Sequence, residues 1–172
     1  MSFLSRGYLL PYSRLILMDS PYAITRAMFE REKRLFLENA NFTQAQRRRV
    51  SKCTLKFGKM KTAVGMAHSD GILELSSHFV EVGFEVWDTI IHELAHIAVG
   101  VEHGHDNVWL GVYRELGGVG SRLVEIPEEY WPKAKWTLKC TKCTWSVQRY
   151  RRTYSHCYFC AECEAPMIFK LN

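Results

Sequence analysis

The sequence has no apolar run close to the roughly 18 residues that a membrane-spanning helix needs. Its most apolar N-terminal stretch, residues 9–18, is interrupted by Pro11, Ser13 and Arg14 and lacks the pattern of a secretory signal peptide. Internal repeats and low-complexity tracts are also absent. These absences predict an intracellular protein, cytoplasmic or, in a eukaryote, nuclear, with no membrane partner. Its six cysteines are then expected to bind metal rather than to form a disulfide scaffold.

The apolar content is nevertheless sufficient for a buried core. Apolar residues make up 47% of the 172 residues, which excludes a wholly disordered chain and suits one domain with a small appendage. Ser20-Pro21 has the form of a helix start, and Gly100 that of a helix end. Apolar periodicity predicts helices at about 21–39, 87–99 and 107–116, and short antiparallel strands at about 53–57, 62–67 and 72–75. Residues 43–50 are expected to form either a second helical turn or a continuation of the first helix.

The predicted elements suggest three parts. Residues 1–20 form an N-terminal extension, residues 21–131 a main α+β domain of helices and a small antiparallel sheet, and residues 132–172 a cysteine-rich segment. Pro132 and the basic residues that follow it mark the second boundary.

Charge is distributed unevenly along the chain. Residues 26–61 contain 11 Lys and Arg against three Glu, a net charge of +8. Residues 62–132 contain 12 acidic residues against Arg114 and Arg122, a net charge of −10, and residues 133–172 return to +6. An acidic middle flanked by basic segments predicts attraction of a polyanion to the flanks, although solvated surface is the ordinary explanation of a charge run.

The main candidate for chemistry is the sequence His92-Glu93-Leu94-Ala95-His96. On a helix, positions i and i+4 share a face, so His92 and His96 can direct two imidazoles at one ion. Glu93 is offset by about 100° and can reach a water beside the ion without being a ligand. This arrangement predicts a zinc hydrolase in which Glu93 is the general base. The alternative is a pair of core histidines satisfied by hydrogen bonds.

A third protein ligand must come from beyond this helix. Gly100 ends the helix, so the chain can turn back, and His103 and His105 both become candidates. The metzincin spacing, with its third histidine six residues after the second, is not matched. Glu102 and Glu115 are weaker candidates as carboxylate ligands.

A second metal site is predicted near the C-terminus. Cys140 and Cys143 form one Cys-x-x-Cys pair, and Cys160 and Cys163 form another, the spacing of a four-cysteine structural zinc site. Cys157 leaves the second pair ambiguous, because it also stands three residues before Cys160. Zinc there would be closed to water and would hold together a segment too small to fold alone.

Aromatic and basic residues alternate within this cysteine-rich segment. Aromatic rings can stack on unpaired bases while cations contact phosphates, so single-stranded DNA is a predicted partner. The alternative is that the rings form a miniature core and the cations keep it soluble. The residues concerned are Trp136, Trp145, Arg149, Tyr150, Arg151, Arg152, Tyr154, Tyr158 and Phe159.

The motifs together resemble those of the SprT-like metallopeptidase family. That family has a strand pair, a segment ending in Leu-Ser, the motif Thr-x-x-His-Glu-x-x-His, and then His-Gly-x-x-Phe/Trp. This chain has corresponding residues at Thr62–Gly65, Ile72–Ser76, Thr89–His96 and His105–Trp109. Asp106 stands where the family usually has glycine.

The resemblance covers about residues 25–120 and continues into the cysteine-rich segment. It implies a minimal zincin-like metallopeptidase domain with a C-terminal zinc ribbon, one catalytic and one structural zinc ion, and a protein substrate. Because the family includes a peptidase that acts on DNA-crosslinked proteins, it also implies DNA-associated substrates. It favours His105 over His103, since Trp109 follows at the family's spacing. The implied zinc ligands are His92, His96, His105, Cys140, Cys143, Cys160 and Cys163, and the implied catalytic residue is Glu93.

Two classes of function follow from the sequence. The first is a zinc metallopeptidase, and the second is a nucleic-acid-binding zinc protein without proteolytic activity. Glu93 favours the first, because a purely structural site has no need of an acid beside its first ligand. Three protein ligands that leave a fourth position open also favour catalysis, since structural zinc is normally bound by four protein ligands.

Overall fold

A computed structural model describes residues 20–119, 125–153 and 157–172. The α+β class is confirmed, and the chain divides into two compact units between Glu125 and Ile126. The second unit therefore begins ahead of the boundary expected after Trp131. Except for Ser20, the predicted N-terminal extension lies outside the described residues. Within the described parts of the chain, no helix is long and apolar enough to cross a membrane.

The first unit begins with two helices that start at side-chain caps. Helix α1 is Pro21–Glu38, and the Ser20 hydroxyl accepts a hydrogen bond from the Ala23 N–H at 3.3 Å. Helix α2 is Gln44–Ser51 and starts with a reciprocal capping box between Thr43 and Gln46. Ser20-Pro21 predicted the first start, whereas the capping box of α2 was not identified from the sequence.

A three-stranded sheet follows, and its topology corrects one prediction. The strands are β1 (Thr54–Gly58), β2 (Gly65–Ala67) and β3 (Ile72–Ser76), in the order β1-β3-β2. β2 pairs with β3 antiparallel, but β1 pairs with β3 parallel, so the expected purely antiparallel sheet is wrong. The reason is that β2 pairs with one edge of β3 and β1 pairs with the other edge. Because β1 and β3 run in the same direction, their pairing is parallel.

The remaining helices of this unit surround a buried central helix. After the short α3 (Ser77–Glu81), helix α4 runs Trp87–Val99, and all its residues from Thr89 onward are buried. Helix α4 ends at Gly100. The φ of Gly100 is +105°, a backbone conformation that favours glycine. The chain then makes a 3₁₀ turn at Val101–His103 and enters α5 (Asn107–Glu115).

The second unit is a small antiparallel sheet. Strands β4 (Trp136–Cys140), β5 (Ser146–Arg149) and β6 (Met167–Leu171) lie in the order β5-β4-β6. Its buried cluster is very small and includes two of the cysteines themselves, Cys140 and Cys160, with Ala165. So small a core stabilises little on its own, which is the usual situation of domains held together by a metal.

Candidate metal centres

Three histidine side chains of the first unit converge on one point. The Nε2 atom of His92 lies 3.3 Å from that of His96 and 3.0 Å from that of His105, and the last two are 3.2 Å apart. Helix α4 supplies the first two from one face, as the spacing predicted. The turn after Gly100 returns the chain so that His105, just before α5, completes the triad.

The spacing of these nitrogens fits a metal ion. Zinc–nitrogen bonds of about 2.0–2.1 Å at tetrahedral angles place the nitrogens about 3.3–3.4 Å apart. A neutral Nε2 atom is either a donor or an acceptor, so hydrogen bonds cannot satisfy all three contacts, whereas one cation accepts all three lone pairs. His92 and His96 are buried while His105 is exposed, so one side of the triad is accessible.

Burial favours the neutral form of the two helical histidines. Desolvation, helped by the neighbouring imidazoles, lowers the pKa of His92 to about 3. The same desolvation, with the charge of His105, lowers the pKa of His96 to about 4. Neutral imidazoles keep the lone pair that a metal ligand must offer.

A single buried indole contacts all three imidazoles. The ring of Trp109, on α5, lies 4.7 Å from that of His92, 5.2 Å from that of His96 and 4.6 Å from that of His105, centroid to centroid. The Tyr113 ring stacks on this indole, with ring centroids 4.9 Å apart. Trp109 is 1% exposed, so it forms a buried surface against which the three imidazoles pack.

Glu93 lies between α4 and the edge strand β2. Burial raises the pKa of the Glu93 carboxyl to about 7, and a hydrogen bond from the Ala67 main-chain N–H opposes that rise. A Cβ atom added to Gly65 would lie 3.1 Å from the Glu93 Cγ atom and 2.5 Å from a methyl carbon of Thr89. Glycine at position 65 therefore allows β2 to approach the helix beside this carboxyl.

The second unit brings four cysteines together. The Sγ atoms of Cys140 and Cys163 are 3.5 Å apart, those of Cys143 and Cys160 3.6 Å, and those of Cys143 and Cys163 3.7 Å. Zinc–sulfur bonds of about 2.3 Å at tetrahedral angles give a separation of about 3.8 Å. Main-chain N–H groups of Cys143 and Lys142 donate to the Cys140 sulfur and lower the pKa of its thiol to about 6, which favours the thiolate that a metal binds.

Other predicted candidates lie outside these two groups. The His103 ring bonds to the Asp106 carboxylate at 2.8 Å, and Asp106 also caps α5 through the N–H groups of its first turn. Cys157 is an exposed thiol outside the four-cysteine group. Glu115 accepts hydrogen bonds from two asparagine side chains, which lower the pKa of its carboxyl. Glu102 is not part of either group.

Sequence reasoning missed an arginine that binds the C-terminal end of α4. Arg49, part of a basic run interpreted only as charge, donates from Nη1 to the carbonyls of Ala98 at 3.1 Å and Val99 at 2.7 Å, the last two of α4. A cleft of about 320 Å³ opens beside His96, and Arg49 lines it.

No family model, curated protein or solved structure matches this chain.

Proposed function

We propose that the first unit is a zinc-dependent metallopeptidase of the SprT-like type. The observation that carries the proposal is the meeting of three imidazole Nε2 atoms within 3.3 Å of one another. Glu93, the next residue after the first of these histidines, is 8% exposed. The accessible side at His105 leaves room for a reacting group.

In this proposal the residues have distinct roles. His92, His96 and His105 would hold one zinc ion, which supplies Lewis acidity to the site. Glu93 accepts a proton from the attacking water on its carboxylate and delivers it to the leaving amide nitrogen. Burial raises the pKa of the Glu93 carboxyl, which makes its carboxylate a better proton acceptor.

The edge strand β2 supports a peptide as the substrate. Main-chain bonds from His68 to Ile72, at 2.9 Å, and from Ser76 to Val64, at 2.8 Å, show that the even-numbered residues face β3. The main-chain groups of Gly65 and Ala67 therefore point to the other edge, which pairs with no strand among the described residues and where the Ala67 N–H already bonds to Glu93. An extended peptide that adds to this edge would lie beside Glu93.

For the second unit we propose a structural zinc ion. Four thiolates from Cys140, Cys143, Cys160 and Cys163 would saturate a tetrahedral ion and leave no open position. The tiny buried cluster of this unit contains two of these residues, so metal binding and folding are expected to be coupled.

The second candidate function is nucleic-acid binding without proteolysis. In the peptidase proposal, by contrast, the same DNA binding would bring DNA-associated proteins to the site as substrates. Helix α2 lines a concavity of about 780 Å³ with Arg47, Arg48, Arg49 and Lys52, and the described residues around it include no acid. In the second unit, the guanidinium group of Arg152 lies 5.5 Å and the ammonium group of Lys135 5.9 Å from the ring centre of Trp136. Trp145, one of the rings expected to stack on bases, packs against the cysteine cluster and remains partly exposed.

Zinc-dependent cleavage of an unstructured protein tests the peptidase proposal. Wild-type protein stripped of metal should regain cleavage when zinc is added back. Glu93→Gln should bind zinc at the triad with wild-type stoichiometry but lose cleavage by at least about 100-fold, the lower end of general-base contributions. Glu102→Gln, an exposed acid of the cleft beside His96, is the matched control and should cleave normally. Near-normal cleavage by Glu93→Gln would contradict the proposal.

Fluorescence anisotropy of labelled single-stranded DNA tests the second candidate. Each phosphate contact contributes a slope of about −0.7 to the dependence of log affinity on log salt, so Arg48→Glu with Lys52→Glu should lessen the slope by about 1.4. Arg26→Glu with Arg34→Glu, exposed cations on α1, is the control. No saturable binding by the wild type at physiological salt would contradict this candidate.

A further inference from the structure

Helix α4 contains two buried polar atoms without a hydrogen-bond partner among the described residues. They are the Oγ1 atom of Thr89 and the Nδ1 atom of His92. Both residues are deeply buried, with 4% and 8% exposure. A buried donor or acceptor left unpaired costs about 1–3 kcal/mol, so two such atoms on one helix call for an explanation.

Thr89 and His92 are neighbours on the surface of helix α4. Residue 89 is three before residue 92, and at about 100° per residue its side chain lies about 60° from that of His92 around the helix, on the side of Glu93. Helical side chains lean toward the N-terminus, which carries the His92 ring back over the turn that contains Thr89. The Thr89 methyl carbon is directed at Gly65 of β2, so the hydroxyl takes another direction.

The usual acceptor for a helical threonine is not in place for Thr89. Thr25 shows the normal arrangement, since its hydroxyl donates to the carbonyl of Pro21, four residues earlier in the same helix, at 2.8 Å. Thr89 is the third residue of α4, and four residues earlier lies Glu85, ahead of the N-cap Val86. The Thr89 hydroxyl is therefore not occupied by the backbone of its own helix.

The tautomer of His92 fixes what its unpaired atom requires. Its Nε2 atom faces those of His96 and His105, so when Nε2 binds a metal the proton of the neutral ring resides on Nδ1. That N–H group is a donor that needs an oxygen acceptor. Metal-bound histidines almost always donate this second N–H, and loss of such partners typically costs 10–100-fold in metal affinity.

We propose that α4 contains a buried binding site for one water molecule between Thr89 and His92. The water accepts from the His92 Nδ1–H and donates to the Thr89 Oγ1. Thr89 is then a positioning residue that fixes the ring orientation and tautomer of the first metal ligand. The Nδ1–H tautomer and the role in metal binding rest on the proposed function, while the two unpaired buried atoms that require a partner do not.

Three variants and two measurements test this inference. Thr89→Val keeps the shape and removes the hydroxyl, Thr89→Ser restores it, and Thr25→Val removes an equally buried hydroxyl that is bonded elsewhere. Zinc affinity of the triad, from competition with a chelator, should fall at least about 10-fold in Thr89→Val, while Thr89→Ser and Thr25→Val stay near wild type. A high-resolution crystal structure should show a water in hydrogen-bond contact with both atoms in the wild type and in Thr89→Ser.

The outcomes separate this inference from the proposed function. A wild-type crystal structure without that water overturns the inference whether or not zinc binds. A wild type that has the water but binds no zinc at the triad overturns the proposed function and leaves the water site standing. If Thr89→Val binds zinc as tightly as the wild type, the positioning role of Thr89 is wrong.

Discussion

The indole of Trp109 offers a direct way to perturb the histidine triad without changing a ligand. Trp109→Leu removes the ring that contacts all three imidazoles and leaves them without this buried surface. Replacing a buried tryptophan by alanine costs about 3–5 kcal/mol, and leucine fills part of the space, so we expect about 2–3 kcal/mol of lost stability. The triad should also bind zinc at least about 10-fold more weakly, as when other supports of metal ligands are removed.

The control must separate loss of stability from loss of ligand geometry. Phe36 is fully buried and stacks on Phe42 with ring centres 3.9 Å apart, and neither ring contacts the triad rings. Phe36→Leu should therefore lower the free energy of unfolding but leave zinc affinity unchanged in the folded protein. Urea unfolding measures the first quantity, and chelator competition at native conditions measures the second. If folded Trp109→Leu binds zinc as tightly as Phe36→Leu, the indole does not organise the ligands.

Three further perturbations test the surrounding structure. Arg49→Met should lower the free energy of unfolding, measured in urea, by about 1–2 kcal/mol, because two carbonyls of α4 lose their donor. The neighbouring Arg48→Met should change it by less than about 0.5 kcal/mol, and equal effects of the two variants would contradict the role of Arg49. Gly65→Ala should reduce cleavage and stability together, since its Cβ atom would lie 2.5 Å from a side-chain carbon of α4; unchanged cleavage would contradict that close approach. Cys140→Ser should release one zinc ion and unfold the second unit in NMR spectra, whereas Cys157→Ser should do neither; zinc loss from the second variant would move a ligand to position 157.

Features encoded by neighbouring residues were predictable from the sequence. The start of α1, the end of α4 and the i, i+4 pair of histidines each depend on residues within one or two turns. The ligand nitrogens of that pair consequently lie where helical geometry places them. The same holds within each Cys-x-x-Cys pair of the second unit.

Features that depend on tertiary contacts were not predictable. The direction of β1 relative to β3 is set by where β2 pairs, which local alternation does not encode. Arg49 is indistinguishable in sequence from its two arginine neighbours, and only the packing of α2 against the end of α4 identifies it. Trp109 was noticed for its spacing, but its contact with all three imidazoles results from the packing of α5 on α4.

The choice of His105 as the third histidine depends on both local sequence and tertiary structure. Residue chemistry alone left His103 and His105 equivalent, because both follow the glycine that ends α4. In the structure, the Asp106 carboxylate binds the His103 ring, while His105 reaches the triad. A choice between two histidines two residues apart depends on the path of one turn.

Zinc content per chain, measured on purified protein by elemental analysis, tests the two metal centres most directly. We expect two zinc ions in the wild type and in His103→Ala, and one in His105→Ala, with the four-cysteine site still loaded in every case. A single zinc ion in the wild type, or loss of zinc from His103→Ala but not from His105→Ala, would contradict it.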